Sequence, residues 1–433
     1  MKEQVRLGTA RAIITPEVGC QLYGYSPDVF STTVNDDLTA TVFAFRQGEK
    51  AALLVSVTLC SIQTALCVRI REMLAEATGI PQEFCLVAAT HTHSGPNLSG
   101  AAGWGDIDTG YLEKIFLPAI LGAARQAVEN MVPVTMGMAQ GDSLVGINRR
   151  QLNADNTVSL GQNPWGCFNP KMTVLSFADE SGKVVANMIH YGCHGTASGR
   201  NTEISRDWSG VMIDELENLT GAVTAFFNGP EGDVGPRLMN GRTVGAMTVH
   251  DAITHGGMAA QDAMRIYKEI RVRREFSIEA ETEPLAIPLE PRISKEAAAA
   301  LYEKFKEHRI NWGAGQKAYA KRVLDSYEAG YEEKDARVIP QTIIRLGDIA
   351  FVGFPFELFS EVGMRIDGAS EIPYVLSLSN TNGSESYLAT QDALCRGGYE
   401  INMHKMSYLQ PYSDNADFEV LRGTLANLKK LGK

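Results

Sequence analysis

The residues best suited to chemistry lie in a few short stretches. Thr90-His91-Thr92-His93 is an H-x-H pair. On extended backbone alternate side chains share a face, so His91 and His93 project together while Thr90 and Thr92 point away. Ser94-Gly95-Pro96 follows and leaves room for a ligand at the strand end. His194 closes a second apolar run among the small residues Gly192, Gly195, Thr196 and Ser198, as a crowded metal shell or a substrate cleft requires. Glu357 comes directly after the apolar run from Ile349 to Phe354 and Pro355, at a strand-to-helix corner. Two neutral imidazoles and a carboxylate are a sufficient set for zinc, with a phenolate or water completing the shell. Each residue also has a plainer role: histidines satisfy loop carbonyls, and an acid in a first helical turn answers the helix dipole. Tyr387 and Tyr399, after the polar loop from Asn380 to Ser386, read on their own as packing residues. His190 reads as a core histidine, and His250, His255, His308 and His404 receive no role.

Alternating strands and helices must position these groups. Runs from Leu38 to Phe45 and from Ala51 to Thr58 flank Gln47-Gly48-Glu49-Lys50 as a hairpin would. Ile62 to Ala77 has helical spacing, and Phe84 to Ala89 is a buried strand that delivers the H-x-H pair. A helix from about Asp108 to Asn130 precedes a strand from Val132 to Ala139. A second hairpin pairs Met172–Ala178 with Val184–His194, and a helix near Trp208 to Asn218 leads to the strand Val223–Phe227. Helical signals resume from Thr243 to Glu269. The charged segment from Arg271 to Ala336 reads as a solvated helical excursion, with helical spacing around Glu296 to Tyr331. Strands Thr342–Arg345 and Ile349–Phe354, a helix from Phe356, a strand Tyr374–Leu378 and a helix near Ala416 to Leu431 complete the chain. This order predicts mixed β-sheets covered by helices in one large α/β (α+β) domain spanning residues 1–433.

Composition narrows the partners. The chain has 433 residues, 44% apolar and 21% charged, which is ordinary globular composition. A net charge of −11 argues against nucleic acid or an anionic bilayer as the main partner. No run approaches the ~18 apolar residues of a membrane span, and the N-terminal stretch has no signal-like apolar region, so a cytoplasmic location is expected. The seven cysteines are scattered without a C-x-x-C pair, so a metal site has to be built from histidine, carboxylate and phenol oxygen.

Six motifs in one order then carry a resemblance. Ala89-Thr-His-Thr-His-Ser-Gly-Pro96, Cys193-His194-Gly-Thr, Ile204-Ser-Arg-Asp207, Gly232-Asp-Val-Gly-Pro236, Phe354-Pro-Phe-Glu-Leu-Phe359 and Tyr387-Leu-Ala-Thr390 with Gly398-Tyr399-Glu400 are similar to those of the neutral/alkaline non-lysosomal ceramidase family. The match runs to about residue 400 and corresponds to that family's catalytic N-terminal domain. The resemblance implies that His91, His194, Glu357 and Tyr387 hold Zn2+, that His93 is a neighbouring acid/base group, and that Arg149 and Tyr399 face the substrate and stabilise an oxyanion. Two departures stand out. Gly235 occupies the place of the family's catalysis-linked serine, so no serine nucleophile exists there, and an immunoglobulin-like C-terminal domain is not expected. The reading is a zinc-dependent hydrolase that uses metal-activated water on a linear N-acyl amide other than ceramide, with a small-molecule amide as its partner. The alternatives are an inactive metal-containing binding or sensor protein, and a zinc lyase or isomerase.

Overall fold

The computed structural model describes residues 3–245 and 247–431. Three sheets organise them. The first has the order Cys85–Ala89, Lys50–Val57, Thr39–Gln47, Arg6–Ile13, Val132–Pro133. The second runs Val223–Asn228, Val184–Tyr191, Lys171–Ala178, Thr135–Asp142, and the third Ile278–Pro288, Ala336–Leu346, Ile349–Gly353, Tyr374–Leu378. The sheets turn one face each towards a common core, where Phe43 meets Phe227, Phe45 meets Phe177, and Phe227 meets Phe351. Their other faces carry helices: Thr64–Thr78 and Leu117–Glu129 on the first, Asp207–Thr220 and Val249–Tyr267 on the second, Ser360–Ala369 and Ala416–Leu428 on the third. Strands covered on both faces must be apolar on both, which is why Phe84–Ala89 and Ile349–Phe354 lack the alternation of half-exposed strands. Each buried phenylalanine contributes about 1.5–3 kcal/mol by leaving water.

One topological feature aims all three sheets at the same place. Each contains one parallel pair in a mainly antiparallel sheet: Lys50–Val57 with Cys85–Ala89, Val184–Tyr191 with Val223–Asn228, and Ile349–Gly353 with Tyr374–Leu378. The loops leaving the carboxyl ends of these pairs converge, as ligand-binding loops do at switch points of α/β sheets. Backbone and amide bonds lock them together: Asn228 Nδ2 donates to the Thr90 carbonyl at 3.0 Å, and Ser379 N donates to the Asn228 carbonyl at 3.1 Å.

Several elements differ from the sequence-based expectation. The helix expected over 108–130 contains a π turn, Leu112–Phe116, just before Pro118, whose missing N–H the wide turn accommodates. The strand expected over 132–139 is two strands in different sheets, split next to Pro133, which cannot donate to a ladder. Residues 271–336 are integrated rather than projecting. Ile278–Pro288 pairs along its length with Ala336–Leu346, and the helix Asn311–Glu328 buries Tyr319 and Val323 against Trp104 and Met406. No helix among the described residues is long and apolar enough to cross a membrane.

Candidate metal centre and cleft

His91 and His93 do meet, but not on an extended strand. His91 has φ +69°, in the left-handed region, and its ring lies 4.9 Å from that of His93, centroid to centroid. The loop is pinned by a bridge between Thr92 and Gly195, where the backbones pass so closely that a Cβ on Gly195 would stand 2.6 Å from the His91 carbonyl oxygen. His194 lies three residues beyond the end of its strand, in the loop that crosses this point. Glu357 does not open a helix. The helix starts at Ser360, and Glu357-Leu358 forms a short parallel ladder with Tyr387-Leu388, with Glu357 directly opposite Tyr387. The backbone N–H of Glu357 donates to the Ser386 carbonyl at 2.9 Å and that of Phe359 to the Leu388 carbonyl at 3.0 Å, which satisfies these groups in strand geometry.

The three side chains converge with their lone pairs facing inward. Glu357 Oε2 lies 3.0 Å from His194 Nε2 and 3.5 Å from His91 Nε2. The opposite ring nitrogens are committed to backbone: His91 Nδ1 lies 2.8 Å from the Cys60 carbonyl, and His194 Nδ1 lies 2.8 Å from the Glu231 carbonyl and 3.0 Å from that of Val234. An Nδ1–H donated to a carbonyl leaves Nε2 as the free acceptor, the tautomer a metal-binding histidine needs. Donors 2.0–2.2 Å from a tetrahedral zinc stand roughly 3.3 Å apart, so the spacing fits such an ion.

The electrostatics fit as well. Burial, with Arg149 and His91 nearby, pushes His194 down to about 3, and burial also lowers His91, so both imidazoles are neutral at pH 7. Burial alone pushes Glu357 up, but the facing imidazoles and Arg149 hold it well below the usual carboxylate range. His93 Nε2 lies 3.3 Å from His91 Nε2, and burial beside two imidazoles drives it well below its ordinary value.

Tyr387 and Tyr399 line the same cleft as His91, His93 and Glu357, with their rings 6.1 Å apart. Arg149 stands behind them. Its Nη2 donates to the Tyr387 hydroxyl at 3.0 Å and its Nε to Glu400 at 2.9 Å, and at 2% exposure it reaches the cleft through Tyr387 rather than facing a substrate directly. The cleft has a volume of about 400 Å3.

Sequence reasoning missed four supporting residues. Cys60, one of the scattered thiols, has Sγ 3.7 Å from His91 Nδ1 and forms a second cluster with His91 and His93. Asn380 donates to Glu231 Oε1 at 2.7 Å while its Nδ2 lies 3.1 Å from His91 Nδ1, and burial beside Glu357 drives Glu231 well above the usual carboxylate range. His404, which receives no role from the sequence, is buried with Nδ1 3.0 Å from the Tyr387 carbonyl. A glutamate in the Gly- and Pro-rich stretch after a buried strand was the one available signal, at Glu231.

The model of the neutral/alkaline non-lysosomal ceramidase N-terminal region matches residues 5–254. The chain belongs to that family. Ceramidases of this family are metal-dependent hydrolases of amide bonds, and the cluster of His91, His194 and Glu357 is a group able to hold a metal ion. Among solved structures, the neutral ceramidase from Pseudomonas aeruginosa is similar over 99% of this chain and 75% of its own, at 19% identity and a TM-score of 0.76. A second structure, a ceramidase complexed with C2, is similar over 99% of this chain and 76% of its own, at 18% identity and a TM-score of 0.73. These likenesses show the ceramidase fold. No curated protein matches the chain.

Gly235 is the position at which the resemblance leads one to expect a serine. It lies in the strand Val234–Pro236, next to the carbonyl that receives His194. A Cβ there would stand 2.7 Å from Cβ of Thr243, so the space that a longer side chain needs is already filled.

Proposed function

We infer that this chain is a zinc-dependent hydrolase of linear amides of the N-acyl type, acting on a molecule smaller than ceramide. The observation that carries this reading is the convergence of His91 Nε2, His194 Nε2 and Glu357 Oε2 at one point of a substrate-sized cleft. Nitrogen and oxygen donors in this number suit zinc, with Tyr387 as the fourth ligand. A zinc ion held there supplies Lewis-acid polarisation of the scissile carbonyl and a lowered pKa for attacking water.

The protein's own residues supply the rest. His93, neutral and in contact with His91, offers a ring nitrogen to accept a proton and pass it to the departing amine. Burial beside Glu357 pushes the Tyr387 phenol well above its ordinary value, and Arg149, whose Nη2 fixes the hydroxyl, acts in the opposite direction. Tyr399 offers a hydroxyl in the cleft for the developing oxyanion, where one donor is typically worth on the order of 10² to 10³ in rate. Gly235 removes a side-chain nucleophile without disturbing any of these groups. A cleft of about 400 Å3 is near the small end of the ~300–1,000 Å3 typical of ligand pockets, which suits a single-chain amide. All seven thiols are free, which suits a reducing compartment, and the cytoplasm is the proposed location.

The test is a screen of N-acyl amides, including a short-chain ceramide, with and without chelator. The reading predicts hydrolysis of single-chain amides that chelation abolishes and zinc restores. Hydrolysis indifferent to chelator contradicts it, and so does zinc-loaded protein that cleaves no member of the series.

A further inference from the structure

The cleft is lined by two arginines in different electrostatic states. Arg337 is paired with Glu385 and lies over the Tyr408 ring at 5.1 Å from its centroid. Arg322 is exposed at its side of the cleft and donates from Nη2 to the Met406 carbonyl at 2.8 Å. Among the described residues Arg322 has no carboxylate partner; the buried part of its side chain lowers it from its ordinary value, and Tyr319 acts in the opposite direction. Glu357 faces the metal-binding histidines, and Arg337 and Glu385 offset each other, so Arg322 remains an uncompensated cation in the cleft of a chain with net charge −11. Its remaining N–H donors have the planar fork that suits an oxyanion.

The helix that carries Arg322 also shapes the cleft. Gly315 and Arg322 are seven residues apart on Asn311–Glu328, hence on one face and about 10 Å apart along the axis. A Cβ on Gly315 would stand 3.3 Å from the Trp104 ring and 3.4 Å from the Met406 methyl group, so bare helix backbone meets an apolar wall there. The cleft therefore offers apolar surface and a lone guanidinium in addition to the hydrolytic groups.

We propose that the cleft selects linear amides bearing an anionic group, held by Arg322, with the apolar part of the molecule against Trp104 and Met406. This specificity rests on the amide-hydrolase reading and names its substrate class. Carboxylate, sulfonate and phosphate share the required chemistry.

The test compares N-decanoylglycine with its uncharged partner N-decanoylglycinamide, and adds N-decanoyltaurine and N-decanoyl-phosphoethanolamine to identify the anion. Wild-type protein is expected to favour at least one anionic amide by about tenfold or more in kcat/KM, as for a charge-assisted hydrogen bond. Arg322→Gln is expected to collapse that ratio chiefly through KM, and Arg322→Lys to restore part of it. Equal kcat/KM for charged and uncharged amides, or a ratio unchanged in Arg322→Gln, overturns the inference. Calorimetric binding of the same pair separates the two readings. If nothing is cleaved, the hydrolase reading falls, while tighter binding of the glycine conjugate that Arg322→Gln abolishes still supports the anion site, and equal Kd values overturn it.

Discussion

The Tyr387 hydroxyl accepts a 3.0 Å hydrogen bond from Arg149, and Arg149 is held in turn by Glu400. Glu400 is 1% exposed and also receives Nη1 of Arg150 at 2.7 Å. One buried carboxylate thus fixes two guanidiniums, and through one of them the tyrosine opposite Glu357. Removing it strands two buried cations. Glu400→Leu is predicted to destabilise the protein by about 3–5 kcal/mol in denaturant unfolding, and Glu400→Gln, which still accepts a hydrogen bond, by less. Equal stability of Glu400→Leu and wild type would refute this arrangement.

Gly235 gives a steric prediction. Because Thr243 fills the space beside it, Gly235→Ser is expected to cost about 1–3 kcal/mol through overpacking rather than to create a working nucleophile. Thermal unfolding of Gly235→Ser and of Gly235→Ser/Thr243→Ala checks the cause: the double variant should recover much of the loss.

His255 gives a pH prediction outside the metal centre. It is buried in the helix Val249–Tyr267 against Trp208, and burial pushes it down to about 4. The unfolded chain binds a proton below about pH 6.5 that the folded chain refuses until about pH 4, so this residue's contribution to stability is intact above 6.5 and falls as the pH drops between those values. His255→Leu removes that dependence. From pH 7 to pH 5 the stability of wild type relative to His255→Leu should fall by about 2 kcal/mol, read from urea midpoints at each pH. A constant difference across that range would show that the ring is not held neutral.

Much of this was legible in the sequence, for a physical reason. Strands covered on both faces announce themselves as unbroken apolar runs, so Tyr374–Leu378 and the 39–57 hairpin match their expected places. The convergence of His91, His194 and Glu357 was not legible from spacing, because it depends on three parallel strand pairs meeting end to end. Local geometry was misread where tertiary bonds override local preference. His91 leaves the extended region because its loop must pass Gly195, and Glu357 stays in a strand because Tyr387-Leu388 supplies a ladder. The residues behind the site were silent, since Asn380, Glu231 and His404 take their roles from neighbours more than 15 residues away in the chain.

Metal content after purification without chelator tests the central claim most directly, measured by elemental analysis of wild type, His194→Ala and Glu357→Gln. The arrangement of Nε2, Nε2 and Oε2 predicts one zinc per wild-type chain, taken up again after chelation, and a large loss of affinity in both variants. Wild-type protein that neither holds nor takes up a stoichiometric divalent metal, or variants that bind it as tightly as wild type, would contradict the account.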